Sequence, residues 1–429
     1  MKILWLSNIP IPEASTLMNI PSVPFGGWLV GGANALANSD CVSLAFAFPL
    51  KGIKNVENKN GDKINYFAFP YVRENKSIKS HGDIHIRCLK QIVEDFAPDL
   101  VQIFGTECAH SLAMAKICKE QNIPAVISIQ GLLSIYAEHY MTGIPFSTQI
   151  NYTLRELLPR QTNLWGGRRK FIIKGAVEQE AIKTVDHIIG RTAWDEACSL
   201  QINPNAHYHF CNETLRKTFY TARWRLENCE RHTIFLSQVS YPIKGLQFVL
   251  EALPIILQRF PDTRVFISGP DITGGASLLK RLLKSSFGKF ITTKIKKFNL
   301  DEKIIFCGVL SETEMCERLA KTHVFVSPST VENESNSLSE AKILGVPCVA
   351  SYAGGVTSRI QHGIDGFHYQ HDAPYMLAYY VCKIFENNSL ALTISQEARK
   401  NALETNDPTK NLDTLVSIYT NILKNKLSV

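Results

Sequence analysis

Two carboxylates separated by seven residues mark the stretch with the clearest chemistry. Residues 328–341 read PSTVENESNSLSEA, with Glu332 and Glu340 at that spacing. Asn336 and Ser337 are favourable helix-capping types. A helix starting there would aim the backbone N–H groups of Asn336, Ser337 and Leu338 outward, a suitable seat for a phosphate. Glu340 would lie about one turn inside that helix, where a carboxylate can accept both hydroxyls of a ribose. Glu332 falls in the loop before it and is free to meet a sugar. A second stretch, FLSQVSYPIKG over residues 235–245, places Lys244 and Gly245 at the opening of another helix. A compact positive charge at such a point can neutralise a diphosphate.

These residues need elements to hold them, and the apolar pattern supplies candidates. In the first half, apolar runs occur at Ile3–Ser7, Val42–Phe48, Ile64–Phe69, Leu100–Gly105, Ala125–Gln130 and His187–Arg191. Helical patterns such as Glu107–Glu120 and Gly175–Thr184 lie between several of them. After a charged break near Glu213–Arg231 the alternation restarts with Thr233–Ser237, Arg264–Gly269, Ile304–Gly308, His323–Pro328 and Cys348–Ser351. Helical patterns follow the first four, at Lys244–Arg259, Leu278–Lys297, Glu312–Lys321 and Ser337–Leu344. Apolar strands alternating with helices indicate parallel sheets covered on both faces. The pattern therefore predicts two Rossmann-like α/β domains, 1–225 and 226–410. The tail 374–427 is helical in pattern, and its last part, 411–429, is expected to pack back on the first domain. In such sheets ligands sit at the carboxyl ends of the strands, where both stretches fall.

The bulk numbers agree with a folded, ordinary globular chain. It has 429 residues, 45% apolar and 20% charged, with a net charge of +7. That charge is too small for a dedicated nucleic-acid binder, and it suits anionic ligands or an acidic membrane surface. Eleven cysteines show no C-x-x-C pair, so a reduced, mostly buried set is expected. The opening MKILWL reads as a buried strand rather than a signal peptide. No apolar run approaches the length of a membrane span. A cytoplasmic protein is expected, or one peripheral to the inner face of the cell membrane.

The pattern E-N-x-x-N-S-L-x-E-A resembles the E-x7-E signature of retaining GT-B glycosyltransferases of family 4. The resemblance implies a GT-B fold, two Rossmann-like parallel-sheet domains facing across a cleft. It implies that Glu332 contacts the donor sugar near the reacting carbon and that Glu340 holds the ribose. The amides of Asn336, Ser337 and Leu338 would bind the diphosphate. Lys244 matches the family's phosphate-binding Lys, whereas its Arg position holds Gln238, which brings no charge. Gly308 and Val309 match the turn that reads the nucleotide base. Gly26 and Gly27 match a Gly-Gly that lets backbone approach the donor phosphate, although packing explains such a pair equally well. The late glycine turn falls on Ala353, Gly354 and Gly355, beside the plainer reading of a tight turn. Gln130 stands where many relatives carry a His, so no catalytic histidine is assigned.

No D-x-D triplet occurs, so no metal is expected. The absence of G-x-x-x-x-G-K-[ST] and G-x-S-x-G argues against a P-loop NTPase and an α/β hydrolase. The expected partners are a nucleoside-diphosphate-sugar donor and a glycan or lipid-linked sugar acceptor, with no nucleic acid. The segment 132–164, with Tyr136, His139, Tyr140 and Tyr152, reads either as an acceptor-binding loop or as packing. The basic stretches 167–174 and 281–297 read either as solvated helix faces or as peripheral membrane contacts. Two rivals to a transferase remain at this level: a GT-B sugar-nucleotide epimerase, and a non-catalytic nucleotide-sugar-binding scaffold.

Overall fold

The computed structural model describes residues 1–21, 26–72, 78–158, 161–275, 277, 279 and 282–427. The chain forms two compact units. One comprises Met1–Ser134, Ile173–Arg216 and Asn406–Val429; the other comprises Ile135–Ile172 and Lys217–Thr405.

In the first unit the apolar runs become β1 (Lys2–Leu6), β2 (Ser43–Leu50), β4 (Ile64–Pro70), β5 (Leu100–Phe104), β6 (Ala125–Ser128) and β7 (His187–Gly190). Two edge strands join them, β3 (Glu57–Asn60) and β8 (His207–Phe210). The sheet order is β3-β4-β2-β1-β5-β6-β7-β8. All neighbours run parallel except β3, which pairs antiparallel with β4. Central β1 is buried from Ile3 to Leu6, as a strand covered on both faces must be. The C-terminal helix Pro408–Leu427 belongs to this unit. Its Tyr419 and Ile422 join a core with Trp5, Phe46 and Tyr66. The Trp5 indole N–H donates to the Tyr419 hydroxyl at 3.0 Å, which satisfies both polar groups inside an apolar region.

The second unit holds β9 (Glu230–Ser237), β10 (Arg264–Ser268), β11 (Ile304–Gly308), β12 (Thr322–Ser327), β13 (Cys348–Ser351) and β14 (Phe367–Tyr369). They lie in the order β11-β10-β9-β12-β13-β14, all parallel. This is the doubly wound order whose ligand crevice opens where the winding reverses. The reversal falls between β9 and β12. The chain leaving β9 leads to Lys244, and the chain leaving β12 leads to Glu332.

Residues 135–172 leave the first half of the sequence and pack with this second unit. The Gln247 side-chain amide donates to the Thr142 carbonyl at 3.0 Å. Gly143, at φ +72°, lies where any Cβ would strike the Phe248 ring.

The missed elements have physical causes. β3, ENKN, is exposed throughout and carries no apolar signal. β8, HYHF, and β14, FHY, are edge strands of four and three residues, too short for alternation to register. The helix Ile78–Phe96 also went unread. The expected helix 278–297 is interrupted: Leu279 and Leu282 are helical, Ser285 caps a new helix, Ser286–Lys297, and Leu278, Lys280 and Arg281 lie outside the described residues.

Candidate active site

β9 ends at Ser237, and Gln238 turns the chain through a left-handed conformation at φ +51°. A single 3-10 turn, Pro242–Lys244, follows. Gly245, also left-handed at φ +75°, caps the helix Leu246–Arg259. Lys244 therefore ends a turn before the helix rather than opening the helix itself. A Cβ on Gly245 would run into the Pro328 carbonyl, so glycine is what lets the β9 loop lie against the β12 loop. The Thr330 amide donates to the Ile243 carbonyl at 2.8 Å and locks the two loops together.

That contact brings Lys244 onto Glu332. The Lys244 ammonium donates to Glu332 Oε2, and the Ser329 hydroxyl donates to the same oxygen at 3.1 Å. Both charged side chains are largely buried. Burial would pull the Lys244 pKa down, but the neighbouring Glu332 and Tyr241 outweigh it and hold it above the ordinary lysine value. The ammonium is thus a fixed positive charge at neutral pH. Burial also pushes the Tyr241 phenol up, so Tyr241 stays neutral beside it.

The Glu332 backbone has its own support. The Gly355 amide donates to the Glu332 carbonyl at 2.9 Å. Gly354 sits at φ +56°, and a Cβ there would collide with that same carbonyl. The glycine pair is therefore a buttress for the loop, which goes beyond a simple tight turn. Next along, Glu334 pairs with Arg359 at 2.9 Å, both buried. The Asn333 amide donates to the Tyr136 hydroxyl at 2.8 Å. Tyr136 was named in the sequence only as part of the 132–164 segment; Tyr241, Ser329 and Arg359 were not singled out as site residues. Tyr241 lies inside the quoted SYPIKG stretch, so position relative to Lys244 was the available signal. Nothing in the sequence pointed to Arg359.

The helix after the loop runs Asn336–Leu344, one residue earlier than expected. Its cap is Ser335, whose hydroxyl accepts from the Leu338 amide at 3.3 Å; Asn336 and Ser337 fall inside the first turn. The Leu338 amide is thus engaged by the cap. Among the described residues the amides of Asn336 and Ser337 are the open donors of that turn. The Ser337 hydroxyl donates to Ser237 at 2.9 Å, tying the helix start to the end of β9. Glu340 is buried on the same helix.

The remaining expected residues are placed as follows. Gly308 ends β11 at φ +75° with open space where a Cβ would be, and Val309 is exposed beside it. Gly26 and Gly27 belong to the first unit. Gly26, at φ +83°, caps the helix Gly27–Ala37, and a Cβ on Gly27 would press on the Arg216 side chain. In the same unit the Gln130 amide donates to Glu213 at 2.7 Å, and Glu213 pairs with Arg191. Among the described residues no group of three or more His, Cys, Asp or Glu is arranged to hold a metal, and no helix is long and apolar enough to cross a membrane.

Residues 219–401, which contain this site, match the family described as Glycosyl transferases group 1. An uncharacterised glycosyltransferase of Methanocaldococcus jannaschii is 21% identical over 179 residues, 42% of this chain and 42% of that protein. The N-acetyl-alpha-D-glucosaminyl L-malate synthase of Bacillus anthracis is 24% identical over 130 residues, 30% of this chain and 34% of that protein. The matched stretches thus span less than half the length of these curated relatives. Sucrose-phosphate synthase from Thermosynechococcus elongatus has a similar structure, with a TM-score of 0.72 at 12% identity, covering 99% of this chain and 100% of that one. Anabaena HepE, solved with UDP and glucose, gives 0.68 at 16% identity, covering 98% and 99%. The fold is GT-B, as the sequence resemblance implied, and the matches support a glycosyltransferase.

Proposed function

We propose that this chain is a retaining glycosyltransferase of family 4. It would move a hexose-type sugar from a nucleoside-diphosphate-sugar to an acceptor hydroxyl, in the assembly of a surface polysaccharide or glycolipid. The observation that carries this reading is the Lys244–Glu332 pair at the winding reversal between β9 and β12, beside a helix N-terminus with open amides.

The donor diphosphate takes Lys244 as its counter-charge and lies on the amides of Asn336 and Ser337. Glu332, released from the ammonium, faces the sugar. As the bond from the anomeric carbon to the phosphate oxygen breaks, positive charge develops on the sugar ring and Glu332 stabilises it. The acceptor oxygen bonds to the anomeric carbon on the face the phosphate leaves. Its proton passes to the departing phosphate oxygen. Glu340 accepts the ribose hydroxyls, and Gly308 and Val309 border the base. No metal is needed, because Lys244 and the helix terminus supply the positive potential. UDP is the first nucleotide to test, since several structural neighbours were solved in complex with it.

Gln238 favours a second reading, a nucleotide-sugar-binding protein without turnover, because it leaves Lys244 without the second cation the family carries in that loop. Titration calorimetry with UDP and GDP, for the native protein and Glu340→Ala, tests the donor site. A ribose contact to a carboxylate is worth about 1.5–3 kcal/mol, roughly ten- to hundred-fold in affinity. Loss of that size in a folded variant supports the assignment. Unchanged binding removes Glu340 from the site. Nucleotide binding without turnover on any acceptor favours the second reading.

A further inference from the structure

The excursion 135–172 is built inside out. Its 3-10 turn, Leu154–Leu157, is anchored through its polar side: the Ser286 amide donates to Glu156 at 2.7 Å. In such a turn residues three apart project together. Here those residues are Leu154 and Leu157, 62% and 70% exposed. Phe146, Ile150, Leu158 and Trp165 from the same excursion are also exposed. A turn in contact with water alone would bury its leucines and expose its glutamate. Exposed apolar groups gathered in one short excursion are the kind of feature that marks an interaction surface.

The charge around it is mainly basic, with Asp271 at the rim of the same cavity as Arg155. Arg155, Arg169 and Lys170 are exposed within the excursion. Arg155 and Lys284 line one cavity, and Asn151 and Lys289 line another, so the helix Ser286–Lys297 and the residues before it border the excursion. From Leu279 to Lys297 the sequence has no Asp or Glu, and it carries Lys284, Lys289, Lys296 and Lys297, besides Lys294, which pairs with Glu251. Within 135–172 the acids are Glu138 and Glu156, and Glu156 is spent on Ser286.

We infer that this face of the second unit, formed by residues 146–158 and 161–170 and bordered by 282–297, docks on an anionic lipid bilayer. The leucines and aromatic rings enter the interface while the lysines and arginines meet lipid phosphates. The chemistry singles out this occupant. A nucleic acid would leave the leucines wet, and a second copy would set like charges against each other. The inference stands independently of sugar transfer, though it would bring the donor site to lipid-linked acceptors.

Flotation with vesicles tests it, using phosphatidylcholine alone and phosphatidylcholine mixed with phosphatidylglycerol. The native protein should float with the mixed vesicles only, less so as salt rises. Arg169→Glu with Lys170→Glu should lower the partition coefficient about 30-fold or more, from the attraction of each basic residue near such a surface. Leu154→Asp with Leu157→Asp should abolish flotation, and Trp165 emission should shift blue on binding in the native protein. Failure to float with mixed vesicles, equal flotation with neutral ones, or flotation unaffected by the leucine variants would each overturn the inference. So would self-association that the leucine variants abolish in a protein that does not float. UDP calorimetry on the same samples keeps the two questions apart: UDP binding without flotation overturns the docking surface alone.

Discussion

Two buried glutamates sit at the working ends of the two sheets, and they are held in opposite ways. In the first unit Glu178 accepts from the Leu133 and Ser134 amides at 2.8 and 3.0 Å and from the Ser134 and Thr106 hydroxyls at 2.6 and 3.1 Å. In the second, Glu332 meets one ammonium and one hydroxyl. Burial pushes the Glu178 pKa up, and its four hydrogen bonds pull against that shift. A carboxylate with every lone pair engaged by its own chain is a strut. One held by a single cation can exchange that cation for a ligand. The comparison separates a residue that holds a loop from one that can act.

The strut should show the largest effect on stability. Glu178→Ala strands several buried donors at about 1–3 kcal/mol each, and a loss of about 4 kcal/mol is expected. Urea melts would show it as a lower midpoint. UDP affinity, measured where the variant is still folded, should stay within about two-fold, because the donor residues belong to the second unit. A matching loss of UDP affinity would break the division of roles.

Glu332 should behave in the reverse manner. Glu332→Gln keeps the shape and removes the charge that faces the sugar. Turnover should fall about 10²–10³-fold, the usual scale for one stabilising group at a developing charge. Affinity for UDP, which has no sugar, should change little, and stability should change by less than in Glu178→Ala. Loss of UDP affinity as large as the loss of turnover would place Glu332 on the diphosphate.

How much of this was legible in the sequence follows from what each feature depends on. The central strands showed as apolar runs because they are buried on both faces, and Glu332, Glu340 and Lys244 stood out through spacing. The Lys244–Glu332 contact joins residues 88 apart in the chain. It depends on Gly245 fitting against the Pro328 carbonyl, which no periodicity reveals. The Glu334–Arg359 pair and the packing of 135–172 with the second unit are tertiary in the same sense. Capping was legible by type and wrong by position: Ser335, Asn336 and Ser337 all suit an N-cap, and only the backbone conformation selects Ser335.

Gly354→Ala tests that tertiary layer directly. The substitution strains a left-handed residue and drives a methyl group into the Glu332 carbonyl. A cost of about 2 kcal/mol is expected, borne partly as weaker UDP binding because the loop carrying Glu332 and the helix start must shift. Gly363→Ala is the control: it is also left-handed, at φ +81°, but has open space at the Cβ position. It should cost less and leave UDP binding unchanged. Equal effects at both sites would mean backbone strain alone is at work and that Gly354 gives Glu332 no support.

An effect of similar size, seen only in acid, compares the two units through pH. Each unit buries a neutral histidine. Burial holds His110 of the first unit down at about 3, with His85 and Lys174 adding to the shift. Burial holds His323 of the second unit down at about 3 as well, helped by Arg231 and His232. Below the ordinary histidine value of about 6.5 the unfolded chain binds a proton that the folded chain refuses. The stability tied to each histidine is therefore complete above that pH and is lost as pH falls toward 3. At pH 5 the loss is about 2 kcal/mol for each. His110→Gln and His323→Gln, neutral at every pH, should each remove one share of the acid sensitivity in urea melts at pH 7 and pH 5. If the units unfold in separate transitions, His110→Gln should reduce the pH response of one and His323→Gln that of the other, while His187 in the first unit and His368 in the second, also held down by burial, keep part of it. A response unchanged in both variants would assign the acid sensitivity to other groups.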